Sequence, residues 1–263
     1  ILSNQQCKVF LTEKLKSLTT KKLKFLPSSK VTKKKIDLII SIGGDGTILG
    51  CSRTYGSRGI PVLGVNLGNL GFLADLAPED ITSNLLQIIQ GEYVQDKRFF
   101  LEAKINLEKD SYIALNEMVI HSGAIAQLIE YELYVDENFV YRQRADGIII
   151  NTPTGSTAYS LSGGGPIVHP SVQAITLLPM FPHSLSTSPL LIKDESSIEI
   201  RILSNKAKAK LSIDSHDIIS LNEGDNILIN KAKSEVNLIH PIDHDFYDSC
   251  RNKLGWSSII SSK

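Results

Sequence analysis

Cysteine is scarce: Cys7, Cys51 and Cys250 are the three in 263 residues, far apart and without a CxxC pair. That spacing excludes a disulfide framework, argues against structural zinc and fits a reducing cytoplasm. Long apolar runs are lacking. No stretch approaches the roughly 20 residues that span a bilayer, and no signal-peptide pattern is present, so no membrane partner is expected. An excess of either charge is missing: 28 Lys and Arg face 28 Asp and Glu. That balance is not the one expected of a general nucleic-acid binder. Three common signatures are also absent. Without GxxxxGK[ST] there is no P-loop lysine, and without GxSxG there is no hydrolase nucleophile elbow. The nearest approach to a dinucleotide fingerprint, Gly44-x-Gly46, is followed by Leu49 where GxGxxG requires glycine.

The length suits one large domain or two modest ones. Residues 1–35 are lysine-rich, as in "KKLKFLPSSKVTKKK", and read as a solvated helix followed by a polar connection. From Ile36 the pattern is α/β. "IDLIISI" and "IPVLGVN" are continuous apolar runs, as expected of strands buried on both faces of a parallel sheet. Between them "DGTILGCSRTYG" suits a helix ending near Gly56 or Gly59, and Pro78-Glu79-Asp80 opens another helix to about Gln90. After Gly91 the text alternates, as in "LIEYELYVDENFVYRQRADGIIINT" and "NILINKAKSEVNLI", with polar turns such as Asp136-Glu137-Asn138. The tail "IDHDFYDSCRNKLGW" is again helical. The expectation is a Rossmann-like α/β N-terminal domain with a parallel sheet, residues 1–98 joined by about 239–263, and an all-β C-terminal domain, 99–238.

Three stretches could carry chemistry. In "GGDGT", Gly43 to Thr47, glycines after a strand allow close approach of backbone to a phosphate. Asp45 in their midst would repel one. It is either a turn and cap residue for a helix starting at Thr47, or it has work of its own. In "ADGIIINTPTGSTAYSLSGGGPIVHP", residues 145–170, a strand ends in small hydroxylated residues. Thr154, Ser156 and Thr157 can cap a short helix from Thr157 to about Leu161, and small residues let a flat ligand lie on backbone. In "NEMVIH", Asn116 and Glu117 stand at the head of an apolar strand; together they can grip a ribose diol or an adenine edge, or they form a surface turn. "HPIDH" holds two histidines four apart, but Pro241 disfavours the helix that would align them, and no fixed protein metal site is expected.

Taken together, "GGDGT", "LGNLGFL" 67–73, "NE" 116–117, "DGIIINTPTGSTAYSLSGGGPIVHP" 146–170 and "RNKLGW" 251–256 resemble the NAD kinases. These in turn resemble diacylglycerol, sphingosine and 6-phosphofructokinases, from which "TPTGSTAYSLSGGGPIV" separates this chain. The resemblance implies phosphorylation of the adenosine ribose 2′-hydroxyl of NAD by ATP, or another phosphoryl donor, to give NADP. It also implies Mg²⁺ or another divalent cation with ATP, and a homodimer or homotetramer. Asp45 would be the general base, with Gly43, Gly44, Gly46 and Thr47 at the phosphates. Asp45 and Gly46 would also border NAD; Asn116 and Glu117 would hold its adenosine, and Thr157, Ala158, Tyr159, Ser160, Leu161 and Ser162 would line the loop towards nicotinamide. Asp146 would accept from the carboxamide. Arg144 would meet phosphate or ribose from a neighbouring subunit, and His216 is a further NAD contact. Gly50 and Gln127 depart from the basic residues that relatives often carry there. A lipid or sugar kinase, a non-catalytic nucleotide sensor and an NAD(P) oxidoreductase are the competing classes.

Overall fold

The computed structural model describes residues 2–18, 24–33, 35–67, 71–74, 76–123, 127–184, 187–204 and 208–256. The chain forms two compact units: residues 1–97 with 236–263, and residues 98–235. The first opens on short elements, β1 (Phe10–Thr12) parallel to β2 (Lys24–Leu26), with 3₁₀ turns around them. The expected N-terminal helix is therefore replaced by strands.

Next come β3 (Ile39–Ile42), α1 (Asp45–Thr54), β4 (Val62–Val65) and α2 (Ile81–Gln90). β3 pairs parallel with β4, Ile39 opposite Val62 and Ile42 opposite Val65. α1 stops at Thr54 and a 3₁₀ turn, Gly56–Arg58, follows. α2 carries Ile81, Leu85, Ile88 and Ile89 at helical spacing. That stripe packs with Leu63, Val65 and Leu76. Gly91 in the left-handed region, φ +94°, ends the helix.

The chain then runs through β5 (Val94–Ile105), β6 (Tyr112–Ala114), β7 (Glu117–His121), β8 (Ile129–Val135), β9 (Asn138–Ala145) and β10 (Gly147–Asn151). After α3 (Tyr159–Ser162) come β11 (Ala174–Met180), β12 (Leu190–Lys193), β13 (Ile198–Ser204), β14 (Lys210–Ile213), β15 (Asp217–Ser220), β16 (Asn226–His240) and α4 (Phe246–Leu254). In the second unit one sheet has the order β12-β11-β10-β7-β14-β15. Facing strands β16, β13, β8 and β9 run antiparallel. Both layers feed one core, including Leu101, Ile120, Tyr131, Ile148, Ile200 and Leu211. β10 is central and every residue of it is buried, which explains its unbroken apolar text. The far end of β16 belongs to the first unit, where Leu238 and Ile239 pair parallel with Val62 and Leu63. An α/β N-terminal part and a β-rich C-terminal part are thus both present. No helix among the described residues is long and apolar enough to cross a membrane.

Candidate functional site

In the first unit, β3 delivers the chain into a turn that opens α1. Gly43 has φ +153° and donates its N–H to Val65 O at 2.9 Å. Gly44 is extended and is the N-cap of α1, with no side-chain cap. Gly44, Gly46 and Thr47 are exposed, and the Thr47 N–H closes the first turn onto Gly44 O at 2.9 Å. The helix begins at Asp45 rather than Thr47, and Asp45 does not cap it. Its carboxylate reaches instead to another loop. Phe72 N–H donates to Oδ2 at 2.8 Å and Leu73 N–H to Oδ1 at 3.2 Å. A Cβ on Gly71 would overlap that carboxylate, so glycine at 71 permits the contact. Residues 68–70 of the same motif lie outside the described residues. The Lys253 ammonium of α4 lies 4.2 Å from the centre of the Phe72 ring, a cation–π contact that bears on the same loop.

In the second unit Asn116 and Glu117 are buried, at 7% and 3% exposure. Asp214, itself buried, organises them. It accepts backbone N–H bonds from Leu115 (3.0 Å), Asn116 (2.8 Å) and Glu117 (3.2 Å). The loop after β10 packs against the same segment: Thr152 N–H donates to Asn116 O at 2.9 Å and Thr152 Oγ1 to Leu115 O at 2.6 Å. Gly155 lies so close to the Asn116 carbonyl that a Cβ would overlap it. Asn116 Oδ1 and Glu117 Oε2 are buried with no hydrogen-bond partner among the described residues. Such atoms are costly unless something pairs them. Burial first, and the Asp214 carboxylate second, push the Glu117 carboxyl up to about 8. At neutral pH it is a neutral acid with an O–H to donate.

The hydroxyl loop has an internal frame. A 3₁₀ turn spans Thr154–Thr157 and α3 spans Tyr159–Ser162, so the expected helix starts later, and no side chain caps it. Ser156 Oγ donates to Pro153 O at 2.6 Å and accepts from Val168 N–H at 3.0 Å. Thr157, Ala158 and Leu161 are half-buried, Tyr159 and Ser162 exposed, and Ser160 buried. His216 is exposed on the Asp214 turn, its Nδ1 2.8 Å from Asp214 O.

Not every expected residue joins this group. Glu117 faces Asn151 in the register of β7 and β10, whereas Gly147 faces His121 at the other end. Asp146 is therefore about 16 Å along the strand from Asn151, at 3.3 Å per residue. Asp146 N–H donates to Met180 O and Arg144 O accepts from His183 N–H. Arg144 lines a groove of about 570 Å³ with Tyr141, Gln143, His183 and Thr187. The sequence reading missed Asp214, whose three N–H contacts come from residues nearly a hundred positions away, and assigned no role to Gly71. It also passed over Arg98, whose Nη1 donates to Thr154 Oγ1 at 3.0 Å.

Known proteins bear on both units. The profile of the ATP-NAD kinase N-terminal domain matches residues 3–93, and that of the C-terminal domain residues 115–241. The NAD kinase of Salmonella choleraesuis (strain SC-B67) is 45% identical over 240 residues, covering 89% of this chain and 82% of its own. That of Salmonella enteritidis PT4 (strain P125109) is 47% identical over 224 residues, 84% and 77% of the two chains. Among solved structures, yeast NADH kinase complexed with NADH aligns at TM-score 0.85 and 28% identity, covering 100% of this chain and 82% of that one. An NAD kinase from Archaeoglobus fulgidus in complex with ATP aligns at TM-score 0.70 and 28% identity, covering 92% and 91%.

Proposed function

The chain belongs to the ATP-NAD kinase family, and we propose that it transfers the γ-phosphoryl group of ATP to the 2′-hydroxyl of the adenosine ribose of NAD, with Asp45 as the base. It is a phosphotransferase, and NAD is the molecule it phosphorylates. In the proposed step the hydroxyl proton passes to the Asp45 carboxylate. The ribose oxygen bonds to the γ-phosphorus as the bond to the bridging oxygen breaks, and ADP leaves. The observation that carries this reading is the Asp45 carboxylate, held by two backbone N–H groups beside an exposed helix start.

The other roles follow from that assignment. The turn of Gly43, Gly44, Gly46 and Thr47 receives phosphate oxygens. The Gly43 and Thr47 N–H groups are already bonded to Val65 O and Gly44 O, so the contacts come from the exposed backbone of Gly44 and Gly46 and from the Thr47 hydroxyl. Asn116 Oδ1 and the neutral Glu117 carboxyl hold adenosine, which would supply the partners those buried atoms need. Residues Thr157–Ser162 run beside the ligand towards nicotinamide, with His216 at the margin. Asp146 receives the carboxamide. The GGDGT turn offers one carboxylate, with two of its acceptor positions already used, so the divalent cation is carried on the ATP phosphates. When bound, it offsets their charge. The C-terminal tail completes the α/β domain in this reading. Phe139, Val140, Leu190 and Leu191 are exposed on edge strands β9 and β12. They support a homodimer or homotetramer in which Arg144 reaches a neighbouring subunit's ligand.

The test is direct. Purified protein receives NAD⁺, ATP and Mg²⁺, and an NADP-specific dehydrogenase follows NADP⁺. A general base contributes about 10²–10⁴-fold, so Asp45→Asn should lose that much kcat while folding normally. Normal turnover by the variant would remove Asp45 from the mechanism. Bound NAD with no NADP⁺ formed by the wild type would favour a nucleotide sensor.

A further inference from the structure

Among the described residues, one group of metal-ligating side chains lies apart from GGDGT and from the Asn116–Glu117 cluster. Asp96 comes from the start of β5, His240 is the last residue of β16, and His244 sits just before α4. One donor atom from each lies within 4.8 Å of the other two. His240 Nε2 is 3.7 Å from Asp96 Oδ2. The imidazoles of His240 and His244 are stacked, centroids 4.0 Å apart and planes 16° from parallel. The helix that Pro241 disfavours is not needed. The chain turns instead, His244 N–H donating to Pro241 O at 3.1 Å, and this folds the second imidazole back over the first.

We propose that Asp96, His240 and His244 form a site for a divalent transition-metal ion of the zinc class. Two imidazoles and one carboxylate are the borderline donors such ions take, with a fourth position left to water. At zinc bond lengths of about 2.0–2.2 Å, tetrahedral donors sit roughly 3.3–3.6 Å apart. The His240–Asp96 pair is already near that spacing. The near-parallel rings cannot both aim an in-plane nitrogen at one ion, so binding swings half-buried His244 out of the stack and rotates half-buried Asp96 towards buried His240. Imidazole pairs are poor ligands for Mg²⁺, which prefers oxygen. The site is therefore independent of the cation that accompanies ATP. Its chemistry is structural: one ion would tie the approach to α4, and the end of β16, to the start of β5.

The full chain is stripped with a chelator, dialysed and titrated with Zn²⁺ by calorimetry and with Co²⁺ by visible absorption. Two variants are run in parallel. His244→Phe keeps the ring stack and removes the donor; Asp96→Asn keeps the side-chain shape and removes the charge. The wild type should bind one ion per chain, and Zn²⁺ should raise its melting temperature. Loss of even an outer-shell partner costs about 10- to 100-fold in metal affinity, so each variant should weaken binding at least about tenfold and lose the thermal shift. Absence of saturable binding by the wild type would overturn the proposal. So would unchanged binding in both variants, which would assign the ion to other histidines.

Discussion

Replacing Glu117 by glutamine should leave NAD binding near neutrality almost unchanged and abolish a pH dependence that the wild type shows. Glu117 is 3% exposed, and burial followed by the Asp214 charge pushes its carboxyl up to about 8. With that value, about 90% of the carboxyl is neutral at pH 7 and about 10% at pH 9. The neutral form has an O–H to donate; the ionised form only accepts. If the neutral form grips adenosine, the wild-type KM for NAD rises roughly tenfold from pH 7 to pH 9, in proportion to its loss. Glutamine carries a donor and an acceptor at every pH, so its KM stays flat. Initial rates of NADP⁺ formation at saturating ATP measure both proteins. Dividing one curve by the other cancels the pH behaviour of NAD, ATP and the coupling enzyme. Stability moves with the same group. Its folded pKa is raised, so the contribution is full below the unfolded value near 4.5 and is lost as pH rises through about 8. At about 1.4 kcal/mol per pKa unit, the wild type should lose a few kcal/mol across that window relative to Glu117→Gln. Parallel KM curves, or a glutamine variant unable to bind NAD at pH 7, would refute the reasoning.

Two further outcomes follow from the contacts around the carboxylates. Gly71→Ala places a methyl where the Asp45 carboxylate lies, so the loop must shift and release it. Misplacing a reacting group by about 1 Å costs on the order of 10²-fold. Steady-state kinetics should show that loss in kcat with KM for NAD little moved; an unchanged kcat would mean Asp45 needs no such hold. Asp214→Asn turns an N–H₂ towards one of three backbone donors. An unsatisfied buried donor costs about 1–3 kcal/mol, which urea unfolding would register, and the pH midpoint of Glu117 should fall as the neighbouring charge is removed.

What could be read in the text depended on how local the cause was. β10 was legible because all five residues are buried, so the run is apolar throughout. The hairpin after β8 was legible because Asp136 and Glu137 take positive φ, 49° and 66°, in a polar turn. β11 was not singled out, and Pro179 within it argues against a strand. Its pairing explains the exception. Pro179 faces Ile148 of β10, while β12 pairs only with Ala174–Leu177. On the β12 side Pro179 is at an edge, where the N–H that proline lacks has no ladder partner to serve. β1 and β2, three residues each, are too short to show a period. Asp214, and the meeting of Asp96 with His240 and His244, depend on contacts between distant segments and leave no mark on local pattern.

The glycines of GGDGT were read as clearing space for phosphate, and only part of that reason holds for the motifs as a set. A Cβ on Gly44 would meet nothing within 4 Å, so no protein contact calls for glycine there. Gly71 and Gly155 do different work. Gly71 lets its loop reach the Asp45 carboxylate, and Gly155 lets the hydroxyl loop rest on the Asn116 carbonyl. Both remove a side chain so that protein can approach protein. A side chain at either position would push back the Gly71 loop from the Asp45 carboxylate or the hydroxyl loop from the Asn116 carbonyl. These glycines therefore divide by what occupies the missing Cβ: open space at Gly44, the Asp45 carboxylate or Asn116 backbone at Gly71 and Gly155. Motif spacing shows that glycine stands at such a position. Only the packing shows which of the two cases it is.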